Sequence, residues 1–323
     1  MAENGLIYFY IMDGDGSAQE GGWQEIEKWL PEQGPCWLHL DYTASDPEKW
    51  LAEKSGLDEA TVSALLSEES RPRVSIIDKG ALIALRGVNL SPNSEPEDMV
   101  AIRLWVDENR IISTRKRKLL SENDIIQSFI DNKGPKTTGE FISDLAEHLI
   151  GRIESTVQNI EDGLDDLEEQ LIATESYDLR TDLSEIRREA IMLRRYLNPQ
   201  KEAMARLQTD RFHWLSENNR RHLRETNDNL IRYTEDLDSI RDRAAVAQEQ
   251  LAGKLSEQLN SRMYILSLVA ALFLPLSFLT GLLGINVAGI PGAEAESAFW
   301  IFILILAAAV ITQIIIFKRK KWL

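Results

Sequence analysis

The sequence has 323 residues and a formal net charge of −16. This length accommodates a soluble domain plus a second region, and the acidity excludes nucleic acid as a partner because phosphate binding needs a basic face. The single cysteine, Cys36, excludes internal disulfides and favours a reducing compartment. The four histidines lack ligand spacing on one helix face, so no Cys/His metal site is expected. The segment 1–5 has no basic or long apolar run, so no signal peptide is expected.

Residues 1–136 have the pattern of an α/β domain, with short β-rich runs separated by turn residues. Strands are predicted at Leu6–Met12, Cys36–Asp41, Val74–Ile77, Ala81–Leu85, Val100–Val106 and Arg110–Thr114. Hairpin turns are predicted at Asp78-Lys79-Gly80 and Asp107-Glu108-Asn109. A helix is predicted to start at Asp46-Pro47, a favourable pair for the N-cap and N1 positions. Short helices are predicted at Leu57–Leu66 and Asn123–Ile130.

Residues 137–262 are predicted to form long helices. Thr137 and Glu140 fit a capping box, and leucine and isoleucine then recur at helical spacing up to Leu171. Leu179–Leu197 is expected to be an antiparallel partner, and Asn198-Pro199 predicts a break or kink after it.

A heptad pattern marks the last part of this region. Its seam comprises Leu223, Thr226, Leu230, Tyr233, Leu237, Ile240, Ala244, Ala247 and Leu251. Nothing in the sequence ends the helix before the next apolar run, so one helix from about Ser216 to Leu283 is predicted, roughly 100 Å long. The seam fits either a dimerisation coiled coil or a stalk that carries a pore.

Acidic side chains cluster on these helices. The clusters comprise Glu161, Asp162, Asp165, Asp166, Glu168 and Glu169, and then Glu235, Asp236 and Asp238. They form either solvated faces or a negative potential that concentrates cations.

Residues 263–323 contain two uncharged apolar runs, about 264–283 and 298–317, each long enough to cross a bilayer. Two buried helices of a soluble protein are the alternative. Basic residues precede the first run and follow the second, whereas the loop 284–297 has none. The positive-inside rule therefore places both termini in the cytoplasm. Two helices cannot enclose a pore, so a transporter of this kind must be an oligomer. Pro275 is expected to bend the first run.

Several motifs resemble the CorA superfamily of metal-ion transporters, and its ZntB branch most closely. Gly284-Ile285-Asn286 follows the first apolar run, where the ZntB branch carries Gly-Ile-Asn and the magnesium branch Gly-Met-Asn. The supporting motifs are Asn260-Ser261-Arg262-Met263, Phe273-Leu274-Pro275-Leu276-Ser277-Phe278, Lys320-Lys321-Trp322-Leu323 and, in the soluble part, Arg71-Pro72-Arg73-Val74.

This resemblance implies a funnel-shaped homopentamer in the bacterial inner membrane. The α/β domain and long helices would form its cytoplasmic part, and the first membrane helix of each subunit would line the pore. Gly284, Ile285 and Asn286 would form the selectivity filter, with Asn286 contacting the ion through its water. The expected activity is zinc uptake coupled to a proton gradient. A magnesium or cobalt channel and zinc efflux stay open as alternatives.

The expected pore face is one stripe of the first membrane helix. It comprises Asn260, Met263, Ala270, Leu274 and Ser277, with Met263 and Leu274 as apolar constrictions. Packing against lipid or other helices is the alternative for these residues, and a helix C-cap is the alternative for Asn286. Glu294 and Glu296 in the outer loop form either a ring that attracts cations or a solvated loop.

A membrane-tethered scaffold would share the layout without transport. An enzyme is not expected, because the sequence has no recognisable nucleophile, phosphate loop or metal-ligand cluster. The expected partners are other copies of the chain, membrane lipids and divalent metal ions, with no cofactor besides the transported zinc.

Overall fold

The computed structural model describes residues 5–68, 71–92, 94–173, 179–210, 212–285 and 295–320. The chain separates into two compact units, Met1–Gln248 and Glu249–Leu323.

The first unit contains a seven-stranded sheet of order β2-β1-β3-β7-β6-β5-β4. The strands are β1 Leu6–Met12, β2 Ala18–Glu20, β3 Cys36–Asp41, β4 Arg73–Ile77, β5 Gly80–Gly87, β6 Val100–Val106 and β7 Arg110–Arg115. Strands β3 and β7 pair in parallel, and the other neighbours are antiparallel. All six predicted strands are present. The three-residue edge strand β2 was not predicted, because it is too short to show an alternating pattern.

Helices α1 Trp23–Lys28, α2 Ser45–Glu53, α3 Glu59–Leu66 and α4 Leu120–Ile130 connect the strands. The predicted cap of α2 is wrong: the N-cap is Ala44, so Pro47 lies in the first turn. A proline is tolerated there because the first N–H groups of a helix have no partner within the helix. Helix α3 has a side-chain cap, because the carboxylate of Asp58 accepts the Thr61 N–H at 3.0 Å.

The sheet is covered on both faces, and the strand alternation decides which side chains lie on each. One face buries Leu82, Trp105 and Ile112 in a core with side chains of α2 and α3. The opposite face contacts α5, where the rings of Trp37 and Phe141 lie 4.8 Å apart. This two-sided burial explains the nearly continuous apolar sequences of the central strands.

Long helices follow: α5 Thr138–Ala173, α6 Leu179–Thr209, α7 Glu217–Leu283 and α8 Ala298–Arg319. Half of the predicted capping box is present, because the Thr137 hydroxyl accepts the Glu140 N–H at 3.1 Å. The Glu140 carboxylate, however, accepts the N–H of Lys136 at 2.7 Å.

The sequence predicted a break or a kink at Asn198-Pro199. The break is wrong, because α6 continues through Pro199 to Thr209, and the kink stays a prediction. Packing of the helix on the sheet outweighs the missing hydrogen bond. The side-chain amide of Gln200, the next residue, forms hydrogen bonds with both backbone groups of Arg86 on β5, at 2.7 and 3.0 Å.

Helix α7 matches the predicted continuous helix within one residue. Every seam position from Leu223 to Leu251 is buried within the single chain. Ion pairs join its first part to α5 and α6, including Arg194 Nε to Asp238 Oδ1 at 2.7 Å. A seam that is already covered cannot dimerise, so the dimerisation coiled coil is excluded.

Candidate functional site: the apolar helix pair

The second unit consists of the end of α7 and of α8, and both are long and apolar enough to span a membrane. Their large side chains are exposed in the single chain, including Met263 at 65%, Leu274 at 70% and Trp300 at 69%. Soluble proteins rarely expose apolar patches of this extent. The alternative of two buried helices of a soluble protein is therefore excluded, and an integral membrane protein is indicated.

One face of each apolar helix is partly covered. On α7 the half-buried residues are Leu268, Leu272, Leu276 and Leu279, and on α8 they are Phe302, Leu306, Ala309, Val310 and Gln313. Phe317, on the same face of α8, is buried. Successive positions lie three or four residues apart, with the adjacent Ala309 and Val310 each three or four residues from Leu306 and Gln313, so each set forms one stripe. Two such stripes are what a packed helix pair produces.

The predicted pore residues occupy a different face of α7. Asn260, Met263, Ala270, Leu274 and Ser277 are all exposed. At about 100° per residue, the centre of this stripe lies roughly 190° from the centre of the leucine stripe. The stripe therefore points away from the packed face and is free to meet lipid or other copies of the chain.

Two further residues, which were not predicted from the sequence, continue this stripe. Ser267 and Gly281 are exposed, and they complete steps of four and three from Asn260 through Ser277 to the end of the helix. The spacing alone could have identified them. Ser267, Ala270, Ser277 and Gly281 make this face smaller and more polar than the leucine stripe.

The predicted filter begins where α7 ends. The N–H of Gly284 donates to the carbonyl oxygens of Thr280 at 2.9 Å and Gly281 at 3.2 Å. A Cβ at Gly284 would lie 2.8 Å from the Thr280 oxygen, so only glycine fits this close approach. Ile285 is exposed, while Asn286 lies outside the described residues.

The outer acidic pair is described only in part. Glu296 is exposed just before α8, and Glu294 lies outside the described residues. At the other end of α8, Lys318, Arg319 and Lys320 are exposed. This asymmetry of basic residues is what the positive-inside rule uses to orient a helix pair.

The acidic clusters of the long helices serve partly as counter-charges. Arg243 on α7 contacts three carboxylates of α5: Glu161 at 3.7 Å, Glu168 at 2.7 Å and Asp165. The hydrogen bonds with Glu168 and Asp165 raise the pKa of Arg243. These carboxylates are therefore partly neutralised, and they contribute less to an acidic potential than the sequence indicates.

Comparison with known proteins agrees with this arrangement. The profile of the family described as CorA-like Mg2+ transporter protein matches residues 32–319. The divalent cation transporter CmaX of Pseudomonas aeruginosa is 40% identical over 328 residues, covering 99% of this chain and 98% of that protein. The zinc transport protein ZntB of Pectobacterium atrosepticum is 35% identical over 323 residues, covering 100% and 98%. The structure of full-length CmaX superposes with a TM-score of 0.87 at 38% identity, covering 99% of both chains.

The sheet domain, the long helices and the two C-terminal apolar helices thus define a membrane protein of the transporter class. The chain belongs to the CorA family.

Proposed function

We propose that this protein transports divalent metal cations across a membrane through a pore formed by several copies of the chain. The observation that carries the proposal is the stripe from Asn260 to Gly281, which lies opposite the packed face of α7 and is exposed in a single chain. In a ring of copies this stripe faces the axis, and the family resemblance implies a ring of five.

The chemistry of the stripe suits a hydrated cation. A divalent ion releases its water reluctantly, and hydroxyl and amide oxygens can accept hydrogen bonds from that water. Asn286 would supply such an oxygen at the outer mouth. Met263 and Leu274 would form apolar rings that control conduction by excluding water.

Zinc uptake into the cytoplasm is the specific activity that we propose. Its support is Ile285 in the Gly-Ile-Asn motif and the relatives named zinc transport protein. CmaX, whose name specifies divalent cations without naming zinc, supports the broader activity. A magnesium or cobalt channel and zinc efflux are the alternatives that the experiment must distinguish.

We expect any coupling to protons to use groups outside the bilayer, because neither apolar run contains an Asp, Glu, His, Lys or Arg. Candidates are Glu294 and Glu296 in the loop, and His213 and His222 in the first unit. The ring nitrogen Nε2 of His222 lies 2.9 Å from a Glu147 carboxylate oxygen.

The test is metal flux into liposomes that contain the purified protein, with zinc and magnesium compared with and without a pH gradient. We expect inward zinc flux that exceeds magnesium flux and increases with an inward proton gradient. Indifference to the gradient would leave a passive channel, and faster magnesium flux would assign the magnesium activity. Absence of flux for both metals would favour the scaffold.

A further inference from the structure

A cationic cavity of about 350 Å³ lies in the first unit, at the end of the sheet where β5 ends and β6 begins. Four basic and two acidic side chains line it: Arg86, Arg103, Lys116, Arg117, Glu68 and Asp98. A basic cavity is unexpected in a protein of net charge −16.

The strand register brings two of the arginines together. Arg86 pairs with Ala101 and Arg103 pairs with Ala84 across β5 and β6. These four side chains therefore lie on one face of the sheet. Ala101 also lines the cavity, and its short side chain fills little of it.

The two carboxylates of the cavity form ion pairs with its more exposed cations. Lys116 pairs with Glu68, and Arg117 pairs with Asp98. Both pairs are largely exposed to solvent, where the net contribution of an ion pair is small.

The inner arginines both donate hydrogen bonds to backbone carbonyls. Arg86 Nη1 donates to the Met99 carbonyl at 2.7 Å, and Arg103 Nη2 donates to the Glu68 carbonyl at 2.8 Å. Each guanidinium carbon also lies over a tyrosine ring, at 4.1 Å from the Tyr196 centroid for Arg86 and 5.1 Å from the Tyr42 centroid for Arg103.

Arg103 is the least satisfied of these groups. Its side chain is part of the cavity lining, yet the residue is only 2% exposed. Its buried Nε has no hydrogen-bond partner among the residues that the structure describes. Burying a cation without a paired anion is costly, so an anion entering the cavity would gain strongly.

We propose that this cavity is a binding site for a small anion that carries a phosphate group. Guanidinium groups form paired hydrogen bonds with phosphate oxygens, and the surplus of two positive charges matches a phosphate dianion. The volume is at the low end for ligand sites, which favours a compact ligand. The cavity belongs to the first unit alone, so this site does not depend on the proposed transport activity.

The test is binding of inorganic phosphate and pyrophosphate to the full-length protein in detergent, by titration calorimetry and by the shift in melting temperature. Ionic strength is held constant with sodium chloride, and sulfate serves as a dianion of similar shape. We expect saturable binding and a raised melting temperature with phosphate or pyrophosphate, beyond the effect of chloride.

Variants assign the binding to the cavity. Arg103→Gln and Arg86→Gln should each weaken binding at least about tenfold, since each removes a charged hydrogen-bond donor. Arg224→Gln is the matched control, because Arg224 is exposed on α7 and is not among the residues that line the cavity, and its binding should equal that of the wild type. If Arg103→Gln does not fold, Arg86→Gln and the conservative Arg86→Lys decide.

A purely structural role of the arginines would change the melting temperature without phosphate but not the shift that phosphate causes. That result would overturn the proposal. So would unsaturable binding over the millimolar range, or equal binding by Arg86→Gln and the wild type.

Discussion

The sheet domain buries its large apolar side chains within the single chain, whereas the apolar helix pair exposes most of them. In the sheet domain Trp37 is fully buried, and its indole N–H donates to the Ser113 hydroxyl at 2.8 Å. In the helix pair Leu274 and Trp300 are mostly exposed. The first region is complete within one chain, whereas the second needs lipid and, as we propose, other copies to cover its apolar surface.

A buried polar network shows how complete the sheet domain is. His39 lies between two fully buried groups: its Nδ1 is 2.6 Å from the Ser113 hydroxyl, and its Nε2 is 3.1 Å from Glu122 Oε1. The other oxygen of Glu122 pairs with Arg115. Buried charges persist in a fold only when they are paired in this manner.

Removing the carboxylate from this network should have the largest effect on stability. We expect Glu122→Ala to lower the free energy of unfolding by about 3–5 kcal/mol, because it leaves Arg115 buried without its counter-charge. Chemical unfolding followed by tryptophan fluorescence measures this loss.

Glu27→Ala is the control for this measurement. Glu27 pairs with Lys54 at an exposed site, so its removal should change the free energy of unfolding far less than Glu122→Ala does. Equal losses in the two variants would contradict the view that the sheet domain depends on its buried pairing.

In the helix pair the decisive substitutions should change transport instead of stability. We expect Asn286→Ala to abolish selective transport while assembly is retained, because the proposed ring of amide oxygens at the outer mouth would be lost. Liposome flux and size-exclusion chromatography measure the two properties.

Gln313→Ala provides a matched control, since it removes another amide of the apolar helices, from the half-buried face of α8. Its flux and selectivity should stay close to those of the wild type. Normal zinc selectivity in Asn286→Ala would remove Asn286 from the filter.

A polar substitution on the pore stripe should raise the basal leak. We expect Leu274→Ser to increase ion flux several-fold in the absence of a pH gradient, because an apolar ring that excludes water would become wettable. Val269→Ser is the control: Val269 is also exposed, but lies about 140° from Leu274 around the helix. Similar leaks in both variants, or none in either, would indicate that Leu274 faces lipid or a neighbouring helix.

The sequence predicted most elements of both regions, because apolar periodicity reports burial directly. Strands β1, β3 and β6 have the predicted bounds, and α7 differs by one residue. Prediction failed where local rules were overridden by contacts distant in sequence. Gln200 holds α6 on the sheet beside Pro199, and no periodicity reveals such a contact.

The same limit applies to the sites. The pore stripe follows from spacing along one helix, although its role stays a prediction until the flux experiments are done. The network around His39 was missed, because it joins residues more than 70 positions apart in sequence. The cavity around Arg103 likewise combines strands and loops that only the fold brings together.

A small pH effect should arise where α5 and α7 meet, at Asp144 and His222. Burial raises the pKa of Asp144 on α5 to about 6, and Glu140 and Glu147 add to the rise while His222 of α7 opposes it. Between about pH 4 and 6 the folded state therefore holds more protons on this group than the unfolded state, so stability falls as the pH rises through this range.

The side chain introduced by Asp144→Asn is neutral at every pH, so the variant does not lose stability in this range. We expect the variant to be more stable than the wild type by about 1 kcal/mol at pH 7.5, a value reduced for solvent screening, and equally stable near pH 4. Thermal unfolding from pH 4 to 8 measures the difference. Asp166→Asn, at an exposed site of the same helix, separates this effect from the loss of one negative charge. A difference between Asp144→Asn and wild type that is constant with pH would mean that Asp144 is charged in the folded protein throughout, and that its burial is relieved by the nearby His222.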